Sequence, residues 1–308
     1  MAVRCCTTVA SVETKPLQPC TVRPLGMVRV CVHRARRLPS FNRLSNFGQD
    51  RLPNRLLVGL VTSVCGRERM DAMGADGRGV VGAVFARGGS KGVPRKCLRE
   101  VGGRSLLEIA IGHAQAIERV DRVIVSTDDP DYVAVAESTG AEVPFLRPAE
   151  LATDATAEID VWRHLIAHLD EEGCRPDVLV TLPPTAPLRS PVDVDAALDL
   201  FFETGADLVV TGTPAARNPY FNMVSIDADG WASIAIPTGN RVVRRQDAPE
   251  LWDLATVAFV ADATYVQNTR HPLEGRVALS PVPIERAIDI DTEFDLRLAD
   301  LLVRDGGT

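Results

Sequence analysis

The chain has 308 residues, of which 45% are hydrophobic and 24% charged, with 23 glycines, 21 prolines and a formal net charge of −7. These are the proportions of an ordinary globular protein and exclude a collagenous or low-complexity chain; no apolar run reaches the roughly 18 residues of a membrane-spanning helix. Length gives a prior of about two domains, and the acidic balance argues against nucleic acid as partner, because such proteins carry a basic surface.

The average conceals a break near residue 78. Residues 1–78 hold 13 Lys+Arg against 5 Asp+Glu, a net of +8, whereas the remainder carries −15. Cys5, Cys6, Cys20, Cys31 and Cys65 precede the break and only Cys97 and Cys174 follow it. The first segment shows no sustained periodicity apart from an apolar stretch at Leu56–Val64, and is expected to be a basic leader without a fold of its own, or an upstream extension, since Met70 and Met73 stand just before the first good strand. A transit peptide and a basic arm for an acidic partner are the alternatives. Its cysteines lack a metal-binding spacing and no secretory signal is visible. The two separated cysteines of residues 79–308 suit a reducing cytoplasm, which is the expected location.

From residue 79 strand and helix alternate. Val80–Phe85 is a nearly continuous apolar run, as a strand covered on both faces requires. A Gly-rich loop follows, and Ser105 with Glu108 forms a capping box opening a helix to about Glu118. Arg122–Ser126 predicts a strand, Asp131–Ser138 a helix closed by Gly140, and Glu142–Leu146 a third short strand. Thr156–Glu172 is a helix with Ile159, Trp162, Leu165, Ile166 and Leu169 on one face. Asp177–Leu182 reads as a buried strand, Val192–Glu203 as a helix and Asp207–Thr211 as a strand. From about 214 to 283 the turn signals Asn218-Pro219, Asp229-Gly230 and Gly239-Asn240 break the rhythm, and an insertion of antiparallel strands is expected. Ala287–Asp291 predicts a last strand, followed by a helix capped by Thr292 with Asp295 at the capping-box position. This order specifies an α/β fold with a mostly parallel sheet and helices on both faces.

In such sheets ligands bind beyond the carboxyl ends of the strands. The loop after the first strand, Ala86 to Lys96, matches neither common phosphate-loop pattern. Yet its Gly and Ser residues let backbone N–H groups approach an anion, and Arg87, Lys91, Arg95 and Lys96 supply four positive charges. Lys91 and Lys96 are the only lysines after residue 78; a compact point charge at both places suits a phosphate oxygen held in a tight space. Asp289 and Asp291, two apart on the expected strand, share a face, and two carboxylates there repel unless a cation such as Mg²⁺ sits between them. A solvated basic turn and solvated acids are the plain alternatives. His164 and His168 lack the rest of a zinc motif, Cys97 lacks a histidine partner, and Asp128-Asp129 fits an Asx turn before Pro130 as well as a functional role.

These residues resemble the acylneuraminate cytidylyltransferase family, the synthetases of CMP-activated sialic and related nonulosonic acids. The motifs are ARGGSKGVPRK (86–96), VSTDD (125–129), EVPFLRPAELATD (142–154), LPPTAPLRSP (182–191), RRQDAP (244–249) and IDIDTEFDL (288–296), spanning about Val80 to Leu302. The resemblance implies a three-layer, nucleotide-diphospho-sugar-transferase-like fold, CTP as donor, Mg²⁺, and a homodimer formed through the 214–283 insertion. It implies Arg87, Lys91 and Lys96 on the triphosphate, Ala86, Gly88, Gly89 and Ser90 around the nucleotide, Arg147 near the base, Arg245 and Gln246 on the acidic sugar, and Asp289 and Asp291 on the metal. The implied reaction is attack of an anomeric hydroxyl on the α-phosphate of CTP with pyrophosphate leaving; Asp291 or a metal-bound water is the candidate proton acceptor. Three departures stand out: Cys97 where the family commonly has Asn, Pro183 where it has Gln, and Ala255–Phe259 where it has Asn-Gly-Ala-Ile-Tyr. They remove polar groups, and sites built on hydrogen bonds discriminate steeply, so a divergent acceptor is expected. A related enzyme for a deoxy-octulosonate or phosphonate, or a non-catalytic nucleotide binder, are the competing readings.

Overall fold

In chain order the strands are β1 (Val80–Ala86), β2 (Glu100–Val101), β3 (Arg104–Ser105), β4 (Arg122–Thr127), β5 (Val178–Thr181), β6 (Leu208–Pro214), β7 (Val224–Ile226), β8 (Ala232–Ile234), β9 (Trp252–Asp262) and β10 (Val277–Pro281). The helices are α1 (Leu106–Gln115), α2 (Pro130–Ser138), α3 (Glu158–Glu171), α4 (Pro191–Thr204), α5 (Ala263–Asn268) and α6 (Glu293–Arg304). The computed structural model describes residues 78–90, 92–239 and 242–306. The expectation for the leader, apart from Arg78, therefore falls outside the described residues.

Six strands form one sheet in the order β10-β6-β9-β5-β1-β4. All neighbours are parallel except β9, which runs antiparallel between β5 and β6. On one face Leu107 and Ile111 of α1, Tyr132 of α2 and Leu198 and Phe201 of α4 pack on Val84, Val125 and Val180. On the other, Ile159, Trp162, Leu165 and Leu169 of α3 meet Val81, Ile124 and Leu179. Helix, sheet and helix make the expected three layers, and each fully buried Leu or Ile contributes roughly 1.5–3 kcal/mol. Helix α6 packs beside α1 in a further cluster containing Leu106, Ile290, Leu296 and Ala299.

Local signals explain the boundaries. Ser105 caps α1, accepting from the Glu108 N–H while Glu108 accepts from the Ser105 N–H at 2.8 Å. Thr292 and Asp295 repeat the box at α6. Pro191 begins α4, and Gly205 ends it in the left-handed conformation (φ 61°) that a residue without Cβ adopts freely.

Three expectations change. Glu142–Leu146 makes two isolated bridges, Ile124 to Glu142 and Thr127 to Leu146, rather than a strand. The 214–283 stretch is divided: β9 and β10 belong to the central sheet, while residues between β6 and β9 carry the small β7–β8 hairpin. Finally, Ala287–Asp291 is not a strand. Its alternation of Ile and Asp mimics one, but the partner available to it is a turn, and Ile290 N–H donates to Thr185 O at 2.8 Å without a ladder.

Candidate active site

At the carboxyl end of β1 the chain leaves the sheet at buried Ala86 and enters the Gly-rich loop. Gly88 N–H donates to Asp128 Oδ1 at 3.0 Å, so the carboxylate at the end of β4 fixes the loop's start. Asp129 caps α2, accepting from Asp131 N–H at 2.9 Å, which settles its structural role. Further on, a Cβ at Gly92 would lie 2.5 Å from Asp291 O: loop and acid segment touch backbone to backbone, and only glycine permits it.

One cleft of 480 Å³ collects Arg87, Ser90, Gly92, Lys96, Arg147, the Leu151–Thr156 turn, Pro183, Pro184, Thr185 and Asp291. Arg87 pairs with Asp154 at 2.7 Å. Lys96 Nζ donates to Ile290 O at 2.6 Å and to Asp291 Oδ1 at 2.9 Å. Arg147 is buried, its Nε donating to Ser126 Oγ at 3.1 Å and its Nη2 to Ser126 O. Burial pushes its guanidinium down to about 10, opposed by Asp128 and Cys97. Ala86, Gly88 and Gly89 belong to the same stretch but not to the cleft lining, Gly89 being exposed with open space where a Cβ would be. Lys91 lies outside the described residues.

The acid pair is less symmetrical than a strand would make it. The Asp291 side chain is 73% exposed, whereas Asp289 has its Oδ1 buried without a hydrogen-bond partner among the described residues. Burial holds the Asp289 carboxyl above its ordinary value, with Asp291 adding to the effect and Thr185, Thr256 and Lys96 opposing it. Among the described residues no three His, Cys, Asp or Glu side chains come together as a metal-binding group. Two carboxylates with an idle buried oxygen nevertheless fit a hard cation that takes its other ligands from phosphate and water.

Other sequence candidates resolve plainly. His164 and His168 stand edge-on to the Phe145 ring at 4.7 and 4.6 Å and belong to packing. Cys97 is buried, and desolvation pushes its thiol up to about 12 against the pull of Lys96, the reverse of an activated nucleophile. Arg245 and Gln246 sit in the short 3-10 turn Arg245–Asp247, exposed and outside the cleft lining, with Arg245 bonded to Ala216 O. Two residues escaped the sequence reading: Asp154, which holds Arg87, and Arg189, which is 3% exposed beneath the Pro183–Ala186 turn. The signal for Arg189 was a single charge inside the apolar and proline-rich LPPTAPLRSP motif.

Comparison with known proteins identifies the family. Residues 81–295 match the profile of the family described as Cytidylyltransferase. The chain belongs to the cytidylyltransferase family. A CMP-N,N'-diacetyllegionaminic acid synthase of Campylobacter jejuni is 32% identical over 222 residues, covering 71% of this chain and 93% of its own. A post-translational flagellin modification protein B of Campylobacter coli is 30% identical over 223 residues, covering 72% and 94%. The solved structure of a CMP:2-keto-3-deoxy-manno-octonic acid synthetase complexed with CTP superposes with a TM-score of 0.55 at 17% identity, covering 74% of this chain and 99% of that one, and shares the fold. This cytidylyltransferase is thus an enzyme of nucleotidyl transfer from CTP, in the family of CMP-nonulosonic acid synthetases that its motifs pointed to. Among the described residues no helix is long and apolar enough to cross a membrane.

Proposed function

We propose that the enzyme joins CMP to the anomeric hydroxyl of a nonulosonic acid, releasing pyrophosphate, with Mg²⁺ held by Asp289 and Asp291. The reading is carried by the cleft that brings Arg87, Lys96, Arg147 and Asp291 together at the carboxyl end of the sheet. In it the hydroxyl oxygen forms a bond to the α-phosphorus as the bond to the bridging oxygen of pyrophosphate breaks, and the hydroxyl proton passes to the exposed Asp291 carboxylate or to water. Such a transfer needs positioning and charge neutralisation more than covalent help from the protein. Arg87, Lys91 and Lys96 neutralise the triphosphate and the leaving group, and the backbone from Ala86 through Gly88, Gly89 and Ser90 cradles the nucleotide. Arg147, which lines the cleft, stands near the base in this reading. The metal supplies further neutralisation of phosphate charge. Arg245 and Gln246 hold the acidic sugar from a neighbouring subunit of a homodimer built through the β7–β8 hairpin, a reading supported by the exposed apolar side chains of Val224, Ile226, Trp231 and Ile234 there. The setting is cytoplasmic.

The test is pyrophosphate release by the full chain against a panel of nucleoside triphosphates and ulosonic acids. CTP with a nonulosonic acid gives turnover that requires a divalent cation, and Asp291→Ala abolishes it. Turnover with a deoxy-octulosonate or phosphonate alone, or an active Asp291→Ala, refutes the acceptor or the metal assignment respectively.

A further inference from the structure

The acid-bearing segment 287–291 has no ladder to hold it, yet Ile290 is fully buried and the segment meets the cleft at a fixed place. Two arginines explain how. Arg189 lies under the Pro183–Ala186 turn, with Nε donating to Ala186 O at 2.9 Å and Nη2 to Pro183 O. That turn carries Thr185, whose carbonyl accepts the Ile290 N–H. The third nitrogen of Arg189, Nη1, is buried without a hydrogen-bond partner among the described residues, as is Asp289 Oδ1. Burial pushes the Arg189 guanidinium down to about 9, and the largest opposing influence is Asp289, ahead of Asp193. A guanidinium buried with one idle nitrogen is costly unless a nearby opposite charge offsets it.

Arg286 stands immediately before the segment and forks onto Asp193, Nε to Oδ2 at 2.8 Å and Nη2 to Oδ1 at 2.7 Å. The Asp193 side chain is 4% exposed, and its Oδ2 also accepts the Ser190 N–H at 2.9 Å in the first turn of α4. The segment is therefore tied at its upstream end to α4 and at Ile290 to a turn that one guanidinium clamps from below. We infer that Arg189 and Arg286 are positioning residues of the reaction, setting the place of Asp289 and Asp291 relative to the Gly-rich loop. This rests on the reading of those two acids as ligands of a divalent cation. A planar fork makes both bonds of each brace; lysine keeps the charge and loses the geometry.

Arg189→Lys and Arg286→Lys, made in the full chain, decide it. Residues that orient metal-ligating carboxylates typically cost about 10–100-fold in metal affinity when changed. The expected result is a rise of at least about 10-fold in the Mg²⁺ concentration for half-maximal pyrophosphate release, a lower kcat at limiting Mg²⁺, and a KM for CTP within about two-fold. Deuterium uptake in the peptide covering 285–292 should quicken while cooperative unfolding is retained. Unchanged uptake there together with an unchanged Mg²⁺ requirement in folded variants overturns the inference. Should Arg189→Lys fail to fold, Arg286→Lys, whose side chain is partly exposed, carries the test alone. Divalent-independent turnover by the unmodified enzyme would refute the metal reading instead, and uptake over 285–292 would still decide whether the arginines hold the segment.

Discussion

Gly92 is the point where loop and acid segment meet, and its replacement by alanine is the sharpest test of that contact. The added Cβ would stand 2.5 Å from Asp291 O, whereas ordinary contact begins near 3.4 Å, so one backbone must move by roughly 0.9 Å. The obstacle is a carbonyl oxygen, which cannot rotate aside as a side chain would. Nothing in Gly92's own conformation forbids alanine, because its φ is not in the positive range. The cost therefore falls on the relative placement of Lys96, Asp289 and Asp291. A misplacement of about 1 Å at a site that works by positioning lowers turnover by about 10²-fold, or roughly 2.7 kcal/mol of transition-state stabilisation. Global stability should change little, since the loop is exposed at this point. The assay is kcat/KM for pyrophosphate release alongside a thermal melt. Gly89→Ala makes the contrast: with open space at its Cβ it should leave the melt unchanged and raise the KM for CTP, because only an approaching phosphate would meet the new methyl. A Gly92→Ala enzyme within two-fold of the parent would refute the account of how loop and acids are registered.

Three further outcomes follow from the burial or exposure of individual side chains. The Cys97 thiol, pushed up to about 12 in its buried site, should escape iodoacetamide at pH 8 in the folded protein and react once it is unfolded, read by mass spectrometry of its peptide; rapid native labelling would contradict the burial. His113 is held neutral, its imidazole pushed down to about 4 by burial and by the charges of Arg189 and Arg104. The stability this confers is complete above the ordinary value of 6.5 and is lost as pH falls toward about 4, with ~3 kcal/mol as a ceiling that its partial exposure reduces. Denaturant midpoints between pH 7 and 4.5 should fall less steeply in His113→Gln, and parallel curves would refute the assignment. Ile226, 72% exposed on the β7–β8 hairpin, should yield a monomer when changed to Glu, seen by sedimentation equilibrium against a dimeric parent; a monomeric parent rules out the hairpin interface.

The elements legible in the sequence were those whose signals are local. Ser105 with Glu108 and Thr292 with Asp295 announce helix starts by the side chains that satisfy the first N–H groups, and these boxes form as read. The strands β1, β5 and β6 declare themselves by unbroken apolar runs, which only a doubly covered sheet can accommodate. β9 was hidden because its partners, β5 and β6, lie far away in sequence and because its antiparallel direction in a mostly parallel sheet has no local marker. Asp289 and Asp291 were found by their spacing, but spacing says nothing of depth: one carboxylate faces solvent and the other has a buried oxygen. Arg189 was passed over for the same reason, since composition ranks arginine as a surface residue and only packing reveals an exception.

The basic loop also takes on a different meaning once its partners are known. On composition it is an island of positive charge on a body of net −15, drawing in an anionic nucleotide. In the folded chain Arg87 already holds Asp154, Arg95 holds Asp131 at 2.5 Å and Lys96 holds Asp291. The field there is thus partly neutralised before any ligand arrives, and under the proposed assignment a triphosphate would exchange with carboxylates rather than fill a bare charge. The Arg87 and Arg95 pairs are exposed and contribute about 0–1 kcal/mol each, so exchanging them costs little, whereas Lys96 is largely buried and also held by Ile290 O. What the pairs provide is preorganisation: each cation is held near its working position without binding so tightly that it cannot let go.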